Sequence, residues 1–225
     1  MPNVPPRLIL ASTSPRRREL LGLLGLPFDI VASRYDEASL PPDGLTPPEY
    51  VTRLARGKAT EVAARTEGDA LVLGADTTVV LDGAYLNKPA DAEDAVRMLR
   101  RLAGRTHQVY TGLCLIPVRA GATGEAATDY AVTDVTFDSI TDETIAAYAA
   151  TGEPLDKAGA YGIQGQALSF IPGINGDYFN VVGLPLEYIR KLLLPHFPEI
   201  SPAPPQPTIP DSRYYGKSHE IFVGL

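Results

Sequence analysis

Short apolar runs alternate with stretches of helical periodicity along most of the chain, an order that few architectures accept. Leu8-Ile9-Leu10 and Ala70 to Leu73 read as buried strands, and Phe28 to Val31 as a further strand. Ser14-Pro15 marks a helix start, with serine as cap and proline at the first helical position. Thr46-Pro47-Pro48-Glu49 reads as a capping box with the same proline placement. The helix that it opens carries Val51, Leu54, Ala55, Lys58 and Val62 on one stripe. Val79 to Leu86 predicts a hairpin turning at Asp82-Gly83. Asp91 starts a helix ending near Gly104, Gln108 to Val118 and Thr128 to Phe137 predict strands, and Thr141 to Ala150 a helix. Ser169 to Val182 predicts a hairpin around Asn175-Gly176, and Pro185 to Leu194 a last helix. Strands alternating with helices predict an α/β protein.

The chain has 225 residues, enough for a sizeable core in one large domain or two lobes. Lysine plus arginine is 20 against 27 acids, a net charge of −7, which argues against a broad nucleic-acid or anionic-membrane surface but permits a local basic pocket. A single cysteine, Cys114, excludes an internal disulfide and fits a reducing compartment; three histidines make a histidine- or cysteine-rich zinc site a poor expectation. The start, MPNVPPRLIL, is too short and proline-rich for a secretory signal, and no apolar run approaches membrane-spanning length. A cytoplasmic location is the default expectation. Seven prolines fall in the sixteen residues from Pro195 to Pro210. Residues 1–194 are therefore expected to form the domain, and 195–225 a proline-rich tail that stays out of the core.

Four features carry chemistry. Arg16, Arg17 and Arg18 fall in the first turn of the helix after the first strand, where the helix dipole disfavours cations by a few tenths of a kcal/mol to about 1 kcal/mol each. A solvated face and an anion cradle both account for this on pattern alone; phosphate at a helix N-terminus would reverse the sign. Not all three can point one way. Gly74-Ala75-Asp76-Thr77 follows an apolar run, so Asp76 at the mouth of a strand could hold a divalent cation or activate water, although a turn aspartate is the simpler reading of the spacing. Lys58 sits on the apolar stripe of its helix: either it snorkels, or that face borders a cleft and the ammonium meets an anion. If the ammonium meets an anion, Lys58→Met is expected to leave stability unchanged or raise it, since the stripe is otherwise apolar. Lys88, in "NKP", could serve likewise. The glycine-rich stretch from Asp156 to Gly165 suggests a loop that approaches a ligand closely, without a phosphate-loop or dinucleotide fingerprint. Together, cations with carboxylates describe the design of phosphoryl chemistry.

SxSPRRxELL at Ser12 to Leu21, GADT at Gly74 to Thr77, Lys88-Pro89, GRTHQVYTG at Gly104 to Gly112, and DKAGAYGIQG followed by GLPL resemble the Maf family of nucleoside triphosphate pyrophosphatases. The resemblance covers roughly Leu8 to Leu194. It implies a mixed α/β fold with two lobes around a central cleft, similar to the inosine triphosphate pyrophosphatases. It also implies hydrolysis of a nucleoside triphosphate to the monophosphate and pyrophosphate with a divalent cation, Mg²⁺ or Mn²⁺. Asp76 then matches the general base and a metal ligand, and Glu37 an acid near metal and phosphates. Ser12, Ser14, Arg17, Lys58, Lys88 and Lys157 become substrate contacts. Arg16, Thr77 and Gln164 match the residues of the subgroup that resembles dTTP/UTP pyrophosphatases. The resemblance allows a homodimer. Another Maf specificity, or a nucleotide-binding regulator of cell division, stands as the alternative.

Overall fold

In the computed structural model, which describes residues 6–209, the first apolar run becomes β1 (Arg7–Leu10) and leads into α1 (Pro15–Gly22). Ser14 caps that helix by accepting from the Arg17 N–H, with Pro15 at its start, as the sequence predicts. After β2 (Phe28–Ile30), α2 (Pro47–Ala63) begins where the Glu49 carboxylate accepts from the Thr46 N–H at 2.9 Å, the reach-back bond of the predicted capping box. β3 (Ala70–Leu81) turns at Asp82-Gly83 into β4 (Ala84–Leu86), and Asp91 caps α3 (Ala92–Leu102). There follow β5 (Thr106–Arg119), β6 (Ala122–Thr123), β7 (Ala127–Thr136), α4 (Asp142–Ala150), β8 (Gly173–Asn175), α5 (Tyr178–Val182) and α6 (Leu186–Leu193).

All eight strands join one sheet in the order β2-β1-β3-β5-β7-β8, with β4 beside β3 and β6 beside β5. β1 is parallel to β2 and β3, whereas β5 is antiparallel to β3 and β7, so the sheet is mixed, as expected. Side-chain alternation along the strands feeds two cores. Ile9, Val72, Cys114 and Ile116 meet Ala55, Ala59 and Val62 of α2 on one face. Leu10, Leu73, Leu113 and Val135 meet residues of α1, α3, α4 and α6 on the other. Among the described residues no helix is long and apolar enough to cross a membrane.

Two glycines decide how closely α2 lies on the sheet. A Cβ at Gly74 would sit 2.3 Å from the Ala55 carbonyl oxygen, and one at Gly112 would sit 2.3 Å from the Val51 carbonyl carbon. Gly112 is the partner of Asp76 across the β3–β5 ladder. The helix backbone thus rests directly on the strands beside Asp76.

Three expectations are corrected. Gly74-Ala75-Asp76-Thr77 does not end a strand; β3 continues because β5 pairs with it from Ala70 to Val80. What ends there is β1, which pairs with β3 only as far as Leu10 and Leu73. The hairpin around Asn175-Gly176 is instead β8, paired with β7, followed by α5, because the Asp177 carboxylate accepts the Phe179 and Asn180 N–H groups and starts a helix. The proline-rich segment does enter the core. Phe197 and Ile200 are buried, and Gln206 accepts the Tyr178 N–H at 2.8 Å while donating to Asp177 at 2.9 Å. Prolines rule out regular structure, not burial. Residues 210–225, the remainder of the expected tail, lie outside the described residues.

Phe197→Ala should therefore cost roughly 3 kcal/mol in urea denaturation, the scale for truncating a buried phenylalanine. A loss below about 0.5 kcal/mol, the surface-site scale, would mean that the segment only rests on the body. A second outcome concerns acid stability. His107 is fully buried, with Nε2 2.8 Å from the Tyr161 hydroxyl, and burial pushes its pKa down from 6.5 to about 4. The unfolded chain takes up this proton near pH 6.5 and the folded chain only near pH 4, so stability falls as the pH drops through that window. A shift of this size is worth about 3 kcal/mol. The fall in Tm between pH 7.5 and 4.5 should be smaller in His107→Gln; equal falls would remove His107 from the account.

Candidate active site

Beyond the carboxyl end of β1, where β3 has no partner on that side until β4 joins it at Val79, a cavity of about 820 Å³ opens. Its volume lies in the range of small-molecule sites. Ser12, Ser14, Arg16 and Arg17 line it from the start of α1, Glu37 and Lys58 from the α2 side, and Asp76 and Thr77 from β3. Lys88 follows from the segment after β4, and Lys157 and Gln164 from the segment after α4. The structure thus gathers around one space the residues that the sequence singled out, except Arg18. The alternation of β3 splits the two polar residues that line the cavity between the faces of the sheet: Asp76 meets α2, Thr77 meets α1.

On the α2 face, Lys58 Nζ donates to Asp76 Oδ1 at 2.5 Å and lies 2.9 Å from Glu37 Oε1. The Lys58 side chain is 12% exposed and that of Asp76 9%, against 52% for Glu37. The ammonium therefore does not snorkel; it sits between two carboxylates of the protein. This revises the expectation for Lys58→Met, which would leave the buried Asp76 carboxylate without its counter-ion, a strongly destabilising change. The two acids are pushed apart. Loss of water drives the Asp76 pKa above the ordinary carboxylate value, outweighing the pull of Lys58 and Arg17. Partial burial also presses Glu37 upward, but Lys58, with Lys88 and Arg17 behind it, holds it below its ordinary value. Two neighbouring carboxylates so separated can take different roles, one staying ionised and one accepting a proton.

On the α1 face the arginine run diverges. Arg17 turns inward, donating from Nε to the Gly183 carbonyl at 2.9 Å and from Nη2 to Thr77 Oγ1 at 3.1 Å, with Ser12 Oγ 3.4 Å from Nη1. Thr77 in turn shares a 2.9 Å bond with Thr111, which donates to the Asn180 carbonyl. Arg16 reaches across the cavity to Asp156 at 3.1 Å, and Arg18 is exposed. Lys157 donates to the Glu153 carbonyl and to Asp156, each at 2.7 Å. Lys88 is exposed beside Asn87, whose Oδ1 accepts from Thr78 at 2.7 Å. Gln164 is exposed to the cavity on a turn closed by the Gly165 N–H and the Gly162 carbonyl, while Ile163 beside it is buried.

Sequence reasoning missed Glu153, Tyr148 and Tyr161, which support the Gln164 segment, and Asn87, which lines the cavity. Glu153 lies between Gly152, with φ of 75°, and Pro154, a turn signature that says nothing of a ligand. Asn87 stands next to Lys88, so that neighbourhood was the available signal.

Asp76 and Glu37 form a donor set that fits a hard divalent cation: Mg²⁺ takes one or two carboxylates and completes its shell with substrate phosphates and water. No group of three or more His, Cys, Asp or Glu among the described residues could hold a metal by itself. The arrangement suits an anionic ligand that brings its own oxygen donors.

The family profile described as "Maf-like protein" matches residues 7–195. A dTTP/UTP pyrophosphatase of Moorella thermoacetica is 54% identical over 187 residues, covering 83% of this chain and 93% of that protein. Proteins of the same name from Escherichia coli O157:H7 and Thermococcus onnurineus are 51% and 50% identical over 186 residues, covering 83% and 82% of this chain and 91% and 95% of theirs. With a match of this length through the arginine run, the Asp76 strand and the Gln164 turn, the chain belongs to the Maf-like protein family.

Proposed function

We propose that this protein hydrolyses nucleoside triphosphates to the monophosphate and pyrophosphate, with dTTP and UTP as preferred substrates. The observation that carries the reading is the Asp76 carboxylate, buried at the cavity wall, pushed up in pKa and fixed by Lys58. A general base works best when its pKa is raised toward the operating pH. A regulator that only bound nucleotides would need the cations, not a carboxylate whose burial costs stability. The identity to relatives named for dTTP and UTP supports the choice of base.

In this reading water attacks the α-phosphorus, Asp76 takes its proton, and pyrophosphate leaves. Arg17 faces the phosphates with its guanidinium plane already fixed by Gly183 and Thr77, so little orientation is lost on binding. Asp76 and Glu37 would hold Mg²⁺ or Mn²⁺, which would supply positive charge to offset the charge of the leaving pyrophosphate. Arg16, Lys88 and Lys157 complete the positive rim, and Ser12 and Ser14 supply hydroxyls at the start of α1. Pyrophosphate release from dTTP, UTP, CTP, GTP and 7-methyl-GTP, with and without Mg²⁺, tests the proposal. Release fastest from dTTP and UTP and dependent on the metal supports it; release from none of them overturns it.

Asp76→Asn should lower turnover at least ~100-fold, the scale of lost general-base catalysis, while Tm stays near the parent value because the amide is isosteric. Near-parental turnover would remove Asp76 from the mechanism. Lys58→Met should lower both kcat/KM and Tm, in contrast to Asp76→Asn, because only the former strands a buried charge.

Base choice should depend on Gln164. Uracil and thymine present two carbonyl acceptors flanking one N–H, and an amide can both donate and accept. An ionised glutamate would face a carbonyl with no proton between them, a mismatch costing about 1–3 kcal/mol. Gln164→Glu should thus lower kcat/KM for dTTP and UTP roughly ten- to a hundredfold and penalise 7-methyl-GTP less. An equal loss for every triphosphate would mean that Gln164 holds the loop or the phosphates rather than the base.

A further inference from the structure

The turn that carries Gln164 is laid over a carboxylate with no role in the chemistry above. Glu153 Oε1 accepts from the Tyr148 hydroxyl at 2.8 Å, and the same hydroxyl accepts the Gly162 N–H at 3.1 Å. Glu153 Oε2 accepts the Gln166 N–H at 3.3 Å. Glycines on both sides of the turn's tip permit this contact. A Cβ at Gly165 would lie 2.1 Å from Glu153 Oε1, and one at Gly162 would lie 3.2 Å from it. Lys157, anchored on the Glu153 carbonyl, brings its Cε to 2.6 Å from where a Gly162 Cβ would stand. The turn is therefore fixed before Gln164, through Gly162, and after it, through Gln166, while the buried Ile163 pins it from below.

We propose that Glu153 is a positioning residue for base selection: its carboxylate, with the Tyr148 hydroxyl, holds the turn from Gly162 to Gly165 so that Gln164 meets the pyrimidine in one orientation. The proposal rests on the reading that Gln164 faces the base. Both groups that the carboxylate receives are donors, an O–H and an N–H. A carboxylate accepts at both oxygens, whereas an amide of the same shape would turn its NH₂ toward one of those donors. Glutamate is thus specified over glutamine by hydrogen-bond polarity, not by size. A fixed turn spares the ordering cost that a mobile one would levy on binding, and only the pyrimidine that matches Gln164 gains from it.

Glu153→Gln, Tyr148→Phe, Gln164→Ala and Glu153→Gln/Gln164→Ala separate the outcomes, with kcat and KM for dTTP and CTP, the inhibition constant of pyrophosphate, and Tm. The expected result is that Glu153→Gln lowers the preference for dTTP over CTP about tenfold, mainly through the KM for dTTP. That change corresponds to about 1.4 kcal/mol. Pyrophosphate inhibition should be unchanged, since the phosphate end is untouched. Tyr148→Phe should shift the preference in the same direction, and Glu153→Gln should add nothing to Gln164→Ala. If Gln164→Ala keeps the preference, the base-reading role fails and this proposal with it. If Gln164→Ala loses the preference while Glu153→Gln and Tyr148→Phe keep it, the positioning role alone fails. An equal loss for dTTP and CTP with weaker pyrophosphate inhibition would make Glu153 a general structural support and overturn the proposal. Should Glu153→Gln not fold, Tyr148→Phe decides between the same outcomes.

Discussion

Lys58 can hold Asp76 because the backbone of α2 touches the sheet. Gly74 and Gly112 leave no side chain between the helix and β3–β5, and any Cβ at either would strike the carbonyl group of Ala55 or Val51. Lys58 lies three residues beyond Ala55 on the same helix, nearly one turn, so its ammonium arrives above Asp76 rather than in solvent. The apolar stripe that packs α2 on the sheet and the placement of its one inward cation are consequences of the same close approach. Enlarging either glycine would lift the helix and separate the pair.

That pair is costly, and its environment is uneven. Asp76 has lost most of its water, while Glu37 on the far side of the same ammonium is half exposed. A shared cation with unequal solvation pushes the two acids in opposite directions. Ordinary packing would favour apolar residues of the same volume over such a buried pair. The proposed reaction, in which Asp76 takes a proton, would account for the charge kept at this point.

Legibility from sequence followed the range of the forces involved. Ser14-Pro15, the Thr46–Glu49 box, the Asp91 cap and the Asp82-Gly83 turn were readable because each is decided within a few residues. The extent of β3 was not: Gly74, Asp76, Thr77 and Thr78 break the apolar run, and only the partner β5, distant in sequence, keeps them in a strand. Composition misled at Phe197 and Ile200, where prolines hid two core residues. The site residues were legible as types and as a resemblance, since cations and carboxylates interrupt apolar patterns. What each would touch was not. Nothing local told that Arg16 would pair with Asp156, or that Lys58 would be occupied by the protein's own acids.

Arg17 illustrates how distant parts of the chain converge on one side chain. Its acceptor, the Gly183 carbonyl, lies at the end of α5, a helix of five residues. A helix so short does not persist on its own propensity. It is held at its start by Asp177, whose carbonyl and N–H both bond Thr133 and whose carboxylate receives Gln206. It is held in its middle by Asn180, which donates to the Val109 carbonyl and to Thr133. The cation that local helix physics disfavours is thus fixed by strands β5 and β7 and by a residue eleven positions beyond the family match. Because those bonds form on folding, the guanidinium is oriented in advance, and under the proposed function the unfavourable sign at the start of α1 would become the attraction that draws a phosphate in.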